Sequence, residues 1–411
     1  MKYYKKLDFY IWIVFVFTAA TPILTFSRSI RLLKYLTMLF ILMKTTYFAF
    51  KDNKFHITIL TFFFLSYIPS LLMSATLSFD LFFLNIGDFF TIAFLFYFFS
   101  LYRFNGDIIG IVKTSVYIVS LVYVLWGIVQ FIFYRMHINL NNVLFLLLAQ
   151  TADATITDLS SQVFMPQNPF IPYRLTGFAM DPFYLGFFCN YVIFLSKKRL
   201  IKLLALFCLI FSFSRSNLLG FCIYLAYKLF SSSRNFKEKY ISKPFVCISV
   251  PLVILISFVI VFFSQGVGAT HNHRIFYFLL PFSIFSENPL LLPFGGSPIL
   301  TGGIYPFYSY LSEFAYLPKT MSENFAWAIE SDWAGIVIGR GFFGIITYLL
   351  IFADIVLKKK IPVENKVLAI AVFIGGVGYD ILSLNIVILI LGIIIFEEKL
   401  KRESNLCMSR L

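Results

Sequence analysis

Charged residues are scarce in this chain, 13% of 411 positions, where a soluble domain carries roughly a quarter. So little charge cannot cover the surface of a soluble protein of this length. Acidic residues are the scarcer sign, 20 Asp and Glu against 34 Lys and Arg, for a net charge of +14. A basic balance raises nucleic acid as a partner, but the basic residues sit in short connections between apolar runs, where they orient a membrane protein. Cysteine is also sparse. Of five, Cys189, Cys208, Cys222 and Cys247 fall in or beside apolar runs and Cys407 in the C-terminal tail, with no metal spacing and no disulfide framework. A cleavage site of the A-x-A kind is missing after the first apolar run, Phe9 to Phe26, which follows the basic start MKYYKK. That run reads as a retained span, not a removed signal peptide. Internal repeats are absent, as are low-complexity segments apart from an excess of Phe.

What the chain has in abundance is apolar sequence. Hydrophobic residues fill 60% of it, in recurring runs long enough to cross about 30 Å of hydrocarbon. The 54 Phe and 24 Tyr suit a lipid-facing surface and need no functional explanation. The expectation is one all-α integral membrane domain over residues 1–411. About twelve spans are expected, near 9–26, 30–50, 56–76, 79–101, 108–134, 182–199, 200–214, 216–230, 244–264, 333–356, 366–380 and 383–397. With both termini in the cytoplasm, 23 of the 30 connecting Lys and Arg fall inside. The outer side receives only Arg28, Arg31, Arg135, Arg174, Arg215, Arg274 and Lys319, while Lys34, Lys44, Lys113 and Arg340 lie within spans.

Two outer loops, about 135–181 and 265–332, are too long for simple connectors and mix aromatics, Pro, Gly and polar residues. Chemistry therefore belongs to the outer face. The basic residues kept there are all Arg except Lys319. Arg pairs bidentately with phosphate oxygens, so an anionic partner is expected. Arg174 lies in IPYRLTGFAMDPFYLGFF, where Asp181 and Pro182 read as the N-cap and first residue of the next helix. Arg215, in FSFSRSNLLG, sits at a turn between two apolar runs, a functional position weighed against headgroup anchoring. Arg274, in THNHRIFYFLL, accompanies His271 and His273, whose i, i+2 spacing does not make a metal pair on one helical face. Further on, ESDWAGIVIGRGFFG places Glu330 and Asp332 at the mouth of a span and Arg340 about two turns into it. Asp332 also reads as a plain N-cap. On a helix the two are separated by roughly 12 Å along the axis and about 80° around it, so they line one cavity without touching. An intramembrane Arg faces the bundle interior by default.

These stretches, RLTGFAMDPFYLG, FSFSRSNLLG, HNHRIFYF, PLLLPFGGS and ESDWAGIVIGRGFFG, occur in an order and topology that resembles the Wzy-type O-antigen and polysaccharide polymerases, a superfamily shared with the O-antigen ligases. The resemblance spans most of the chain. It implies a GT-C-like helical fold in the bacterial inner membrane. It also implies a glycosyltransferase that joins oligosaccharide repeat units carried on undecaprenyl diphosphate at the periplasmic face, for O-antigen or capsular polysaccharide. Donor and acceptor are both lipid-linked, and a chain-length regulator protein is a further partner of that pathway. By motif position the diphosphate would be held by Arg215 and Arg274, with Arg174 as a third candidate; Arg340 and His271 are, apart from the resemblance, candidate cavity residues. The similar ligases carry a His where ESDWAG stands; Asp332 here favours the polymerase.

The residues read by themselves agree with that chemistry. Breaking a sugar–diphosphate bond builds charge on the leaving group, which fixed Arg groups stabilise. The attacking hydroxyl needs a base, for which Asp332 or Glu330 is the nearest outer carboxylate. No cofactor is expected, and no metal, since Arg can neutralise the charge and no compact carboxylate cluster is evident. Two alternatives stand beside this reading. One is a ligase that moves glycan to lipid A-core. The other is a flippase for lipid-linked sugars, which would be expected to show repeat symmetry and polar residues near the membrane midplane.

Overall fold

The structure, a computed structural model, describes residues 2–20, 28–52, 63–77, 90–91, 93–95, 106–141, 173–179, 182–231, 281–282, 284–286, 289–296, 332–357, 361–375 and 389–394. Among these the regular secondary structure is all helical, joined by turns and short irregular stretches, apart from a single bridge residue, Tyr173. Helix α1 (Lys2–Ala20) packs against α2 (Arg28–Asp52), and a π-helical turn (Phe63–Tyr67) leads directly into α3 (Ile68–Leu77). Among the described residues the longest helix is α4 (Gly106–Arg135), followed, after a 3-10 turn at Gly177–Ala179, by α5 (Pro182–Leu195), α6 (Arg199–Ser212) and α7 (Arg215–Ser231). A short α8 (Leu291–Phe294) precedes α9 (Asp332–Leu357) and α10 (Val363–Gly375), and residues 389–394 are helical. The span expected over 244–264 lies outside the described residues, and that over 79–101 is described only at 90–91 and 93–95.

Among the described residues, two segments are long and apolar enough to cross a membrane, Ile108–Arg135 and Gly335–Leu357, and Pro182–Leu195 is a shorter apolar helix. The distribution of side chains fits a hydrocarbon solvent. Helix α2 buries Lys34 and Thr37 and exposes Leu32, Leu36, Leu39, Phe40 and Met43. Helix α4 buries Ser115, Ser120 and Gln130 and exposes Leu125, Val129 and Ile132 at i, i+4 and i+7. In water an amphipathic helix turns its apolar stripe inward and a polar face outward; here apolar side chains stand on the exposed face as well as the buried one, which is compatible with a membrane helix bundle. Buried hydroxyls in these helices bond back onto their own carbonyls. Ser115 donates to Ile111 O, Ser120 to Val116 O, and Thr347 to Phe343 O and Gly344 O. Such local bonds satisfy polar groups where no water is at hand.

The packing places a chain of helices side by side. Helix α1 sits between α2 and α4, α4 packs on α5 and α6, and α5 contacts α6, α7 and α10. Helix α10 packs against both α7 and α9, and α9 against α3 and α8. Helices α1 and α2 run antiparallel, tied by an ion pair between Asp8 and Lys44, one of the intraspan lysines. Close approach between α5, α7 and α10 depends on small residues. The Cβ of any larger residue at Gly220 would stand 2.8 Å from the Ala371 Cβ, the small-residue contact by which membrane helices pack.

Candidate functional site

The Arg174 segment enters the bundle through its neighbours. Leu175 is fully buried and its N–H donates to Phe211 O at 3.1 Å, which lays residues 173–176 along the last turn of α6. Next to it, the backbone of Thr176 and Gly177 is read by two buried amides. Gln130 accepts from Thr176 N at 3.2 Å and Gly177 N at 2.9 Å on its Oε1, and its Nε2 donates to Gly177 O at 3.2 Å. Asn141 Nδ2 donates to Thr176 Oγ1 at 2.6 Å and to Gly177 O at 2.8 Å. Asn141 is held in turn by Trp126 Nε1 at 3.2 Å, and the Trp126 ring stacks on Phe178 with centroids 4.4 Å apart. An irregular backbone inside an apolar bundle needs such partners, and here they fix the stretch that carries the half-buried Arg174.

The turn that carries Arg215 meets the same end of the bundle. Helix α6 stops where Phe213 takes a left-handed conformation, φ 51°, with its N–H on Ile210 O at 3.1 Å, and Arg215 begins α7 two residues later. Asn217, in the first turn of α7, donates to Phe183 O at 2.9 Å and to Ser214 Oγ at 2.8 Å. Asn190 of α5 donates to Asn217 O at 2.8 Å. The starts of α5 and α7, the end of α6 and the Arg174 segment are therefore assembled together. Pro182 is the first residue of α5, as the sequence indicates, and Asp181 lies outside the described residues.

A second constellation surrounds Arg340. Helix α9 is broken at Gly341, φ 64° and ψ −160°, so the span expected as one continuous helix over 333–356 is two helices joined at a glycine. The break forms where the PLLLPFGG stretch of the large loop packs on it. A Cβ at Gly341 would stand 2.6 Å from Leu292 O, Phe294 N and Pro293 C, and one at Gly295 would run into the backbone of Gly339 and Arg340. Gly296 N donates to Ile338 O at 3.0 Å, Ser70 Oγ donates to Gly339 O, and the Phe294 and Phe343 rings stack at 5.5 Å. Arg340 is fully buried, with its guanidinium carbon 4.4 Å from the centroid of the buried Tyr67 ring. The expectation that this Arg faces the bundle interior holds.

Of the candidate residues, Arg174 and Arg215 share one end of the bundle, and Arg340 occupies the separate site at the α9 break. Asp332 is the first residue of α9, one position inside the N-cap that the sequence suggested. Glu330, His271 and Arg274 lie outside the described residues. Among the described residues no group of His, Cys, Asp and Glu could hold a metal ion. Sequence reasoning missed Gln130, Asn141, Asn190, Asn217, Ser70 and Tyr67. The signal was available for the amides, because Gln130 in WGIVQFIF and Asn190 in FFCNYVIF interrupt apolar runs, where a polar side chain must be spoken for by a neighbouring helix. No family model matches the chain, and no curated protein matches it.

Proposed function

We propose that the chain is a polysaccharide polymerase that extends glycan on undecaprenyl diphosphate at the outer face of the bacterial inner membrane. In this reading about a dozen spans form a GT-C-like bundle with both termini in the cytoplasm. The observation that carries it is the assembly of the Arg174 segment, through the Leu175–Phe211 bond, beside the turn that starts α7 at Arg215. Those are two of the stretches on which the family resemblance rests. Two Arg positions at one end of an apolar bundle, next to helix N-termini, suit a diphosphate whose lipid tail stays in the membrane.

The reaction follows from that placement. A hydroxyl of the incoming lipid-linked repeat attacks the anomeric carbon of the growing glycan. The new C–O bond forms as the bond to the diphosphate oxygen breaks, and the bond's electron pair leaves on undecaprenyl diphosphate. Arg215, Arg274 and Arg174 stabilise that charge. Asp332, at the start of α9, takes the proton of the attacking hydroxyl, with Glu330 as the neighbouring carboxylate. A positioned base contributes about 10²–10⁴-fold, whereas a carboxylate that only favours the first turn of a helix contributes about 0.3–1 kcal/mol of stability and leaves the rate nearly alone. Asp332→Asn keeps the size of the side chain and loses the charge. It is expected to yield a folded protein that binds the lipid-linked donor and makes no polymer. Normal chain growth by Asp332→Asn, with loss in Glu330→Gln, would move the base to Glu330.

A further inference from the structure

We propose that Tyr67, Arg340 and the glycine joint at Gly341 form a clamp that sets the first part of α9, and with it Asp332, in position for sugar transfer. The role in transfer rests on the polymerase reading above; the clamp itself rests on the geometry of the joint.

The break in α9 releases carbonyls that an unbroken helix would bond internally. Ile338 O and Gly339 O would accept from residues 342 and 343 in a regular helix. Here Ile338 O takes the Gly296 N–H and Gly339 O takes the Ser70 hydroxyl, so the large loop and α3 stand in for the missing helical turn. Interrupted backbone at such depth is stable only where other protein groups satisfy it. Holding a bent helix in this way would require nothing charged. Yet the residue at the bend is a fully buried Arg, laid on a Tyr ring at 4.4 Å, and buried charge is retained in a bundle interior where it does something an apolar residue does not. The cation–π contact is strong when desolvated and fixes the guanidinium plane against the ring. Gly344 leaves room for the stem of Arg340, since a side chain there would run into the Arg340 Cβ.

The consequence lies at the other end of the arm. Residues 332–340 form helix up to the joint, a lever of roughly 12 Å. A rotation of about 10° at Gly341 would swing the Asp332 backbone roughly 2 Å at the far end of that lever. A misplacement of about 1 Å is enough to lower a rate on the order of 10²-fold. The joint is therefore placed to govern the rate of transfer with little effect on how tightly the donor is held.

The test uses the full chain in lipid nanodiscs, with spin labels carried by unnatural amino acids at positions 333 and 219, on α9 and α7. Tyr67→Phe keeps the ring and is expected to keep the wild-type distance distribution and turnover. Tyr67→Leu and Arg340→Met are expected to shift or broaden that distribution. Turnover at saturating lipid-linked donor should fall about 10²-fold, while donor Kd stays within about threefold. Arg340→Lys, a point charge without the planar face, should fall between. If Arg340→Met does not fold, Tyr67→Leu carries the test. An unchanged distance distribution in Tyr67→Leu overturns the clamp, and so does a shifted distance with unaltered turnover in an active enzyme. Weakened donor binding at unaltered turnover would make Arg340 a binding residue and also overturn it. A wild-type protein that makes no polymer, with the same distance shift in the variants, sinks the polymerase reading and leaves the clamp standing.

Discussion

Gln130 illustrates how a single side chain can decide whether an irregular segment survives inside an apolar bundle. Its amide answers both N–H groups and a carbonyl of the Thr176–Gly177 backbone. A side-chain pair between membrane helices is worth on average about 0.6 kcal/mol, but a buried donor left without its acceptor costs about 1–3 kcal/mol. Gln130→Leu strands two donors, so the second effect dominates, and the expected loss of stability is about 2–4 kcal/mol. Reversible unfolding in mixed micelles checks it, with Gln130→Glu recovering part of the loss because it retains the accepting oxygen. A change under about 0.5 kcal/mol for Gln130→Leu would mean that other groups hold the segment. At Arg215 the expected contrast is functional. Arg215→Ala should abolish long chains at normal protein levels, and Arg215→Lys should rescue them partly at most, since an ammonium lacks the guanidinium fork. Full polymer from Arg215→Ala would leave that residue as a headgroup anchor.

At the scale of elements, the α9 break is the feature that departs most from regular structure. The conformation at Gly341 lies in a region essentially confined to glycine, where strain alone amounts to about 1–3 kcal/mol for another residue. The backbone of Leu292–Phe294 also blocks a Cβ there. Gly341→Ala should therefore greatly reduce the yield of folded protein in size-exclusion profiles. Gly110→Ala, on an exposed position of α4 with open space around it, should leave that yield unchanged or raise it. Equal yields from the two would remove the joint as a structural requirement. Helix positions such as Gly106–Arg135 and Pro182–Leu195 were legible in the sequence because apolar runs with basic or Pro punctuation map directly onto helices. The break at Gly341 was not, because IGRGFFG reads as a tolerable small-residue stretch within a span. It becomes a break only when PLLLPFGG, remote in the chain, docks on it. For the same reason Tyr67 was invisible as a partner of Arg340: the pairing is long-range, and one sequence carries no trace of it. The turn at Arg215 was legible from local signals, whereas its assembly with Arg174 depended on the Leu175–Phe211 bond.

At the scale of the molecule, charge and hydropathy lead to one topology. Residues 135–181 and 265–332 should face outward, and 231–243 and 357–365 inward. Single engineered cysteines should separate accordingly when intact cells or spheroplasts meet a membrane-impermeant maleimide. Labelling of 231–243 from outside would reverse the orientation and remove the site from the outer face. The central claim concerns chemistry, and the most direct measurement is made on the product. Purified protein in proteoliposomes, given only undecaprenyl-diphosphate-linked repeat units, should convert them into a ladder of longer glycans, each still on the lipid diphosphate, with one undecaprenyl diphosphate released per bond formed. Transfer of glycan to lipid A-core, or movement of the lipid-linked unit across the bilayer without chain growth, would contradict it.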